Sequence, residues 1–145
     1  MNRWSLAALP LLALGAAAFS APSRHAAPVT HHVQMVQQGA KYLFVPANFT
    51  IAVGDVVEFE NVSGGPHNVV FDKDHIPAGA KDVLNKAMQK RQGDLMAPFL
   101  TTPHEKYTVS FAGAPKGAYG YWCLPHKALG MVVPRPVLGR PTIGR

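Results

Sequence analysis

Hydrophobic and polar residues alternate along several short stretches of this chain, and a period of two is the pattern of half-buried β-strands. Residues 57 to 60 give the clearest case, because Val57 and Phe59 fall on one face and Glu58 and Glu60 on the other. A strand with one wet face is typical of antiparallel sheets. On this basis we predict strands at residues 31–37, 42–45, 49–53, 57–60, 69–71, 107–111, 119–123 and 131–137.

Glycine and proline separate these stretches, as at Gly39, Pro46 and Gly54. Seven or eight short strands joined by such turns are typical of a two-sheet β-sandwich with crossed connections, so we predict an all-β fold. Pro134 and Pro136 lack amide protons, which confines the last strand to an edge or shortens it.

A single helix is predicted at residues 81–92. Val83, Leu84, Ala87 and Met88 lie on one face at helical spacing, and Gly93 marks the end. We expect this short helix to lie across the sandwich rather than inside it.

Soft metal ligands are concentrated between residues 123 and 131. Cys123 is the single cysteine, His126 follows three positions later, and Met131 five positions after that. Two histidines and a cysteine with a weak axial methionine are the ligands of blue-copper electron-transfer sites. The missing histidine must then come from a distant loop, and His67 is the best candidate because it lies between a glycine-rich turn and a short apolar strand.

The strand before Cys123 fixes the direction of its side chains. Successive residues point to opposite faces, so Tyr119, Tyr121 and Cys123 share one face while Trp122 lies on the other. If Cys123 faces the interior to meet His67, Trp122 points outward, either as an electron exit or partner contact or as a cover for the sheet.

Several stretches resemble the plastocyanins, which belong to the small blue copper (cupredoxin) family. The order of the two ligand segments and the spacing Cys-x₂-His-x₄-Met make the resemblance specific. It extends from about Val33 to Val133 and is carried by residues 44–51, 54–55, 57–61, 66–72, 76–79, 121–126 and 130–132. The basic region between Asp82 and Met96 and the C-terminal tail depart from the family pattern.

The resemblance implies a Greek-key cupredoxin sandwich that holds one type 1 copper ion. It implies that His67 and His126 bind through Nδ1, Cys123 through Sγ and Met131 more weakly through Sδ. The implied activity is single-electron transfer by Cu(I)/Cu(II) cycling, without catalysis. It also implies that Asn68 links the two ligand segments by hydrogen bonds. We expect His126 to approach the surface within an apolar patch formed by Leu124, Ala128 and Leu129.

The length of 145 residues has room for one domain of ordinary size. We divide the chain into a signal peptide at 1–20, a flexible lead-in at 21–32, a blue copper domain at 33–137 and a tail at 138–145. The first segment places Arg3 before an apolar run from Leu6 to Phe19 with small residues at its end, the pattern of a secretory signal. An uncleaved anchor is the alternative.

Export explains the use of the single cysteine, since an unpaired thiol in an oxidising compartment needs a function such as metal binding. We expect a soluble protein in the periplasm, because no transit peptide precedes the signal, with the thylakoid lumen as the alternative. No stable membrane insertion is expected after signal cleavage.

The formal net charge is +6, and Lys81, Lys86, Lys90 and Arg91 form a basic cluster. We interpret this cluster as a solvated face rather than a docking patch. Nucleic-acid binding is not expected, because no aromatic residues are interleaved with the lysines. The expected partners are a protein electron donor and acceptor, such as cytochromes, an oxidase or a photosystem, and we expect a monomer.

Three other classes use similar residues. A copper carrier or scavenger would favour an open, exchangeable site, and a structural zinc site gains nothing from a weak methionine ligand. An enzyme with Cys123 as nucleophile and His126 as base would need neither His67 nor Met131. Four further histidines are not predicted as ligands of the copper site, namely His31, His32, His75 and His104. Of these, His31 and His32 would bind stray metal weakly.

Overall fold

The computed structural model describes residues 27–134 and 137–138. Its first sheet has the strand order β2-β1-β4-β6, in which β1 runs antiparallel to β2 and parallel to β4, and β4 runs antiparallel to β6. The bounds of these strands are Thr30–Gln38 for β1, Lys41–Val45 for β2, Val56–Asn61 for β4 and Lys106–Ser110 for β6.

The second sheet of the sandwich is divided into two separately hydrogen-bonded three-stranded groups, β3-β10-β7 and β5-β8-β9. Consecutive short strands are the halves of longer ones: β7 (Gly117–Ala118) continues into β8 (Tyr121–Trp122), and β9 (Val132–Val133) into β10 (Val137–Leu138). The outer strands are β3 (Thr50–Ile51) beside β10 and β5 (Val70–Phe71) beside β8. The predicted all-β, two-sheet sandwich is confirmed.

Pro134 follows the first half of the last strand, β9, which lies at the edge of its three-stranded group and, among the described residues, pairs only with β8. Residue Pro134 lies in the bend after β9, and pairing resumes at Val137 between β3 and β7. A proline cannot donate a hydrogen bond to a ladder, which accounts for the interruption at Pro134, whereas Pro136 lies outside the described residues.

Aromatic side chains fill the space between the two sheets near the end that carries Cys123. The ring of Tyr121 meets Phe44, Phe59 and Phe71 edge to face, with centroid separations of 4.8, 5.5 and 5.9 Å. All four residues are buried. Edge-to-face contacts match the positive edge of one ring to the negative face of the next, so this cluster gives the site a rigid floor.

The helix is shorter than predicted. It spans Ala80–Ala87, and Met88 leaves the helical conformation, so the predicted end at Gln92 is wrong. The side chain of Asn85 accepts a hydrogen bond from the Leu95 backbone at 2.7 Å, which ties the following loop back onto the helix. The buried residues Ala80 and Leu84 hold the helix against the sandwich.

The first strand begins at Thr30, inside the predicted lead-in, because its pairing with β4 starts there. Strict alternation also fails at its end, since Val36 is buried together with Val33 and Met35 while Gln37 is exposed. The alternation predicted for β4 is confirmed, with Val57 and Phe59 each 1% exposed.

The predicted signal peptide, residues 21–26 of the lead-in and the tail beyond residue 138 lie outside the described residues. Within the described part of the chain, no helix has the length and apolar character needed to cross a membrane.

Candidate metal centre

Three buried side chains meet at one end of the sandwich. One ligand atom from each of His67, Cys123 and His126 lies within 4.8 Å of the other two, and the described residues contain no other such group of three. The sulfur of Cys123 lies 3.6 Å from His67 Nδ1 and 3.5 Å from His126 Nδ1. The structure therefore brings together the two histidines and the cysteine that the sequence singled out.

A rigid loop presents His67. Its backbone exchanges two hydrogen bonds with Leu100, at 3.1 and 2.7 Å. The side-chain amide of Asn61, at the end of β4, donates to the carbonyl oxygens of Leu100 and Thr102 and fixes the neighbouring segment. The position of His67 is thus set by backbone bonds and not by its own side chain alone.

The tautomer of His67 follows from its second nitrogen. Nε2 lies 2.9 Å from the carbonyl oxygen of Ser63. A carbonyl only accepts hydrogen bonds, so Nε2 carries the proton and Nδ1 keeps a free lone pair. That lone pair faces the sulfur of Cys123, which is the arrangement a metal ligand requires.

Backbone hydrogen bonds close the segment from Cys123 to Met131 into a tight loop. The amide of Cys123 donates to Met131 at 3.1 Å, and the amide of Met131 donates to His126 at 3.1 Å. Between them runs a short 3₁₀ helix, Lys127–Leu129. Met131 is 1% exposed, and its place in the loop fits a soft ligand at the same end of the sandwich.

Burial keeps the three groups neutral in the absence of metal. It raises the pKa of the Cys123 thiol, an effect that backbone hydrogen bonds from Asn68 and His126 reduce in part. Burial also lowers the pKa of both imidazoles. At His67 the hydrogen bond to the Ser63 carbonyl partly opposes this lowering, whereas at His126 the nearby His67 ring lowers the pKa further. Neutral imidazoles have a lone pair to donate, whereas imidazolium ions do not.

The chemistry of this donor set fits copper. A thiolate and two imidazoles are soft and intermediate ligands that suit both copper oxidation states, and a buried thioether completes the pattern. No carboxylate belongs to the cluster in the described residues, so hard, oxygen-seeking cations have little to bind here.

Asn68 links the two ligand segments, as the sequence predicted. Its Oδ1 accepts a hydrogen bond from the backbone of Leu124 at 2.8 Å, and its Nδ2 donates to Ala97 at 3.4 Å. Both ligand segments are therefore held to each other next to the sulfur.

One edge of the site approaches solvent through His126, which is 8% exposed, whereas His67 is 0% exposed. Leu124 and Leu129 beside it are 48% and 58% exposed. Together with the exposed Ala128 they form the predicted apolar surface, here called the His126 patch.

Trp122 lies on the sheet face opposite Cys123, as predicted, but it is only partly exposed. The ammonium of Lys127 lies 3.5 Å from the centre of its ring and covers it. This cation–π contact was not predicted, although both residues flank the ligands in the sequence.

A second unpredicted feature is Tyr42 on β2. Its ring stacks on the ring of His126, with centroids 3.8 Å apart and planes 8° from parallel. An aromatic residue in a strand is ordinarily core, so the sequence carried no signal for this contact.

The four other described histidines lie away from the centre and each contacts a carboxylate. The pairs are His31 with Asp55, His32 with Glu58, His75 with Asp72 and His104 with Glu60. None of the four belongs to the group around Cys123.

Comparison with known proteins gives a consistent result. The family model described as copper binding proteins of the plastocyanin/azurin family matches residues 31–134. Plastocyanin A'/A'' of Nicotiana tabacum is 43% identical over 89 residues, which cover 61% of this chain and 81% of the relative. The chloroplastic plastocyanin of Tetradesmus obliquus is 39% identical over 102 residues, covering 70% and 62%.

The fold comparison agrees. The oxidised plastocyanin of Dryopteris crassirhizoma superposes with a TM-score of 0.56 at 26% sequence identity. The superposition covers 75% of this chain and all of that structure.

Proposed function

Since this chain belongs to the plastocyanin/azurin family of copper-binding proteins, we propose that it is an exported electron carrier whose copper is held by His67, Cys123, His126 and Met131. The family resemblance makes it an electron-transfer protein rather than an enzyme. The observation that carries the ligand assignment is the buried group in which Cys123 Sγ lies 3.5–3.6 Å from two imidazole Nδ1 atoms.

The protein's contribution to electron transfer is rigidity. When bound, copper supplies a one-electron Cu(I)/Cu(II) couple. His67 is fixed by the Ser63 carbonyl, and Cys123 by the Asn68–Leu124 link. Ligands that are already held in position need little movement when the charge changes, so the reorganisation that opposes electron transfer stays small.

We propose that electrons enter or leave through the His126 patch. His126 is the one ligand side chain of the group with measurable exposure, and the side chains around it are apolar. A small apolar surface favours weak, short-lived docking, which suits a protein that must release its partner after each transfer. The partners we expect are protein donors and acceptors such as cytochromes, an oxidase or a photosystem.

The basic cluster is a weaker candidate for docking. Lys81 and Arg91 both contact the carboxylate of Asp94, which offsets part of their charge. We therefore keep the interpretation of a solvated face.

We propose the periplasm as the site of action and the thylakoid lumen as the alternative, on the strength of the N-terminal signal pattern. The domain boundaries at residues 33 and 137, removal of residues 1–20 and the monomeric state are parts of the same proposal. Fractionation of the host cell and mass determination of the mature chain test the compartment and the cleavage site.

The closed geometry favours an electron carrier over a copper scavenger, because all three ligand side chains are buried. The first test is the absorption spectrum of the purified protein with Cu(II), followed by ascorbate. We expect a strong red-end visible band that bleaches on reduction and returns on oxidation, and its loss in Cys123→Ser. A bound but colourless metal, or a band that does not cycle, would favour a zinc site or a copper-holding module instead.

The docking surface can be tested without knowing the partner, through electron self-exchange between oxidised and reduced copies. Leu129→Lys introduces charge beside His126 and is expected to slow self-exchange by about tenfold, because two like charges would meet when two copies dock. Val53→Lys is the matched control, since Val53 is 43% exposed and precedes β4, at the other end of that strand from the His67 loop. Equal rates in the two variants would contradict the assignment of the patch.

A further inference from the structure

Tyr42 packs against the hydrophobic core and also stacks directly on the ring of the proposed ligand His126. The two rings lie almost parallel with centroids 3.8 Å apart, and the same tyrosine meets His67 edge on at 6.3 Å. Tyr42 is partly exposed and lies on β2, the edge strand of the first sheet. It belongs neither to the four proposed ligands nor to the His126 patch.

The two ligand histidines are held in different ways. The ring of His67 is anchored by its hydrogen bond to the Ser63 carbonyl. Within the described residues, His126 has no hydrogen bond to its other ring nitrogen; its Nδ1 faces Cys123, and its ring meets His67 at a centroid separation of 4.9 Å. The flat contact with Tyr42 is therefore what restrains this ring on its remaining face.

The tyrosine itself is well placed to act as a support. Its backbone pairs with Gln37 of β1. The loop before His67 packs against the ring closely enough that a methyl group on Gly64 would lie 3.2 Å from Tyr42 Cε1. The tyrosine ring thus lies between the Gly64 loop and His126, so its freedom to move away is small.

We propose that Tyr42 is a positioning residue that holds the His126 imidazole in its metal-binding orientation, both with and without copper. This inference rests on the proposed function, because it gives His126 the role of ligand. A ligand that is already in the binding orientation raises the apparent affinity in proportion to the fraction of molecules that hold it there. Stacked aromatic pairs of this kind change such a population by about 2- to 10-fold.

The test compares Tyr42→Phe, which keeps the ring, with Tyr42→Leu, which removes it. The affinity for Cu(I) is measured by competition with a chelator of known strength, and thermal unfolding of the metal-free proteins is measured in parallel. We expect Tyr42→Phe to stay within twofold of the wild type and Tyr42→Leu to bind Cu(I) about 2- to 10-fold more weakly, with a similar unfolding temperature before metal is added.

A second measurement does not depend on any variant. In nuclear magnetic resonance spectra of the wild type, the His126 ring should give one sharp set of signals with through-space contacts to the Tyr42 ring, in metal-free and in Cu(I)-loaded protein. Absence of these contacts in the metal-free form overturns the inference, and this result decides the matter if Tyr42→Leu does not fold.

The remaining outcomes are also distinct. Unchanged affinity in Tyr42→Leu, or an equal loss in Tyr42→Phe, overturns the role of the ring. If Tyr42→Leu binds Cu(I) more weakly, but also has a lower unfolding temperature without metal and unchanged His126 signals, the ring contributes only ordinary packing. This result also overturns the proposed role of Tyr42. A wild-type protein without the thiolate band contradicts the proposed function itself, whereas a band that persists with unchanged affinity in Tyr42→Leu contradicts only the inference about Tyr42.

Discussion

The side-chain oxygen of Asn68 accepts the backbone N–H of Leu124 across a separation of 56 residues, at 2.8 Å. Each of the two residues is the immediate neighbour of a proposed ligand, His67 in one case and Cys123 in the other. The bond therefore fixes the distance between the two segments that form the site. Because Asn68 is 1% exposed, water cannot easily replace it as the acceptor.

Replacing Asn68 by Ala is expected to lower the free energy of unfolding by about 1–3 kcal/mol, since the Leu124 amide loses its acceptor in a partly buried setting. We expect a weaker and broader visible band as well, because the sulfur is no longer held at one distance from His67. Chemical unfolding and absorption spectroscopy of the copper-loaded protein measure the two effects.

Asn85→Ala is the matched control for this prediction. Its side chain makes the same kind of bond, to the backbone of Leu95 at 2.7 Å, but it ties the helix to its following loop. We expect a loss of stability with an unchanged visible band. If the spectrum of Asn68→Ala also stayed the same, the link would serve stability alone.

Gly64 lets the loop before His67 pack closely against β1 and β2. Its φ of +77° is unfavourable for other residues, and an added Cβ would collide with the side chain of Gln37. We expect Gly64→Ala to lower the free energy of unfolding by about 2–4 kcal/mol, through strain and collision together. Copper affinity should fall as well, because the adjacent Ser63 carbonyl holds His67.

Gly39→Ala separates the two causes. Gly39 has a similar φ of +61°, and nothing lies within 4 Å of the position of an added Cβ. This variant is expected to lose only about 1 kcal/mol and to keep its copper affinity, as measured by unfolding and chelator competition. A Gly64→Ala protein that resembled Gly39→Ala in both measurements would show that the loop adapts to the collision.

The sequence predicted the sandwich because alternation and turn residues are local signals. It also singled out His67, Cys123 and His126, which the structure brings together, because soft ligands at such spacing are rare in an ordinary core. Copper as the cofactor is confirmed by the family, while the ligand assignment, Met131 included, stays a prediction.

What the sequence did not predict depends on tertiary contacts. The helix ends at Ala87 because the chain turns at Met88 and is tied back by Asn85. Neither feature changes the pattern of hydrophobic and polar residues in the sequence. The Tyr42 stack arises from the packing of an edge strand against a loop some 80 residues away in sequence. The pairing of β10, which follows the two prolines in the sequence, could be recognised only in the folded structure.

Tyr121 carries a buried hydroxyl for which the described residues provide no hydrogen-bond partner. Burial raises the pKa of this phenol, so the group stays protonated and its desolvation is uncompensated. We expect Tyr121→Phe to raise the free energy of unfolding by up to about 1 kcal/mol, because the aromatic contacts remain and the polar group is removed.

Tyr107→Phe provides the comparison, since its hydroxyl donates to the carbonyl of Gln89 at 2.8 Å. That variant should lose about 1 kcal/mol. Denaturant unfolding of both proteins measures the difference. Opposite signs are the expected result, and equal losses would indicate that the Tyr121 hydroxyl is bonded in solution.

Asp55 is the carboxylate from which a clear dependence of stability on pH is expected. It accepts hydrogen bonds from the Val29 amide at 3.0 Å, the Ala52 amide at 2.9 Å and the His31 ring at 2.8 Å. Burial alone raises its pKa, but these three donors outweigh burial and hold the pKa below the ordinary value of 3.8. The folded state therefore binds the proton less readily than the unfolded state does.

The sign of the effect follows from this difference. Above pH 3.8 the ionised carboxylate stabilises the folded protein, and this contribution disappears as the pH falls through the lowered pKa of the folded state. We expect Asp55→Asn to lose about 1–3 kcal/mol at pH 7. The gap between variant and wild type should begin to narrow as the pH falls below 3.8 and should close only below the lowered pKa of the folded state. Asp74→Asn, whose carboxylate is 69% exposed and contacts Lys73, should show no such gap. Denaturant unfolding of the metal-free proteins tests this between pH 2.5 and 7, at about one measurement per half pH unit. If Asp55→Asn remained less stable than the wild type at the acid end, the role of Asp55 would not depend on its charge.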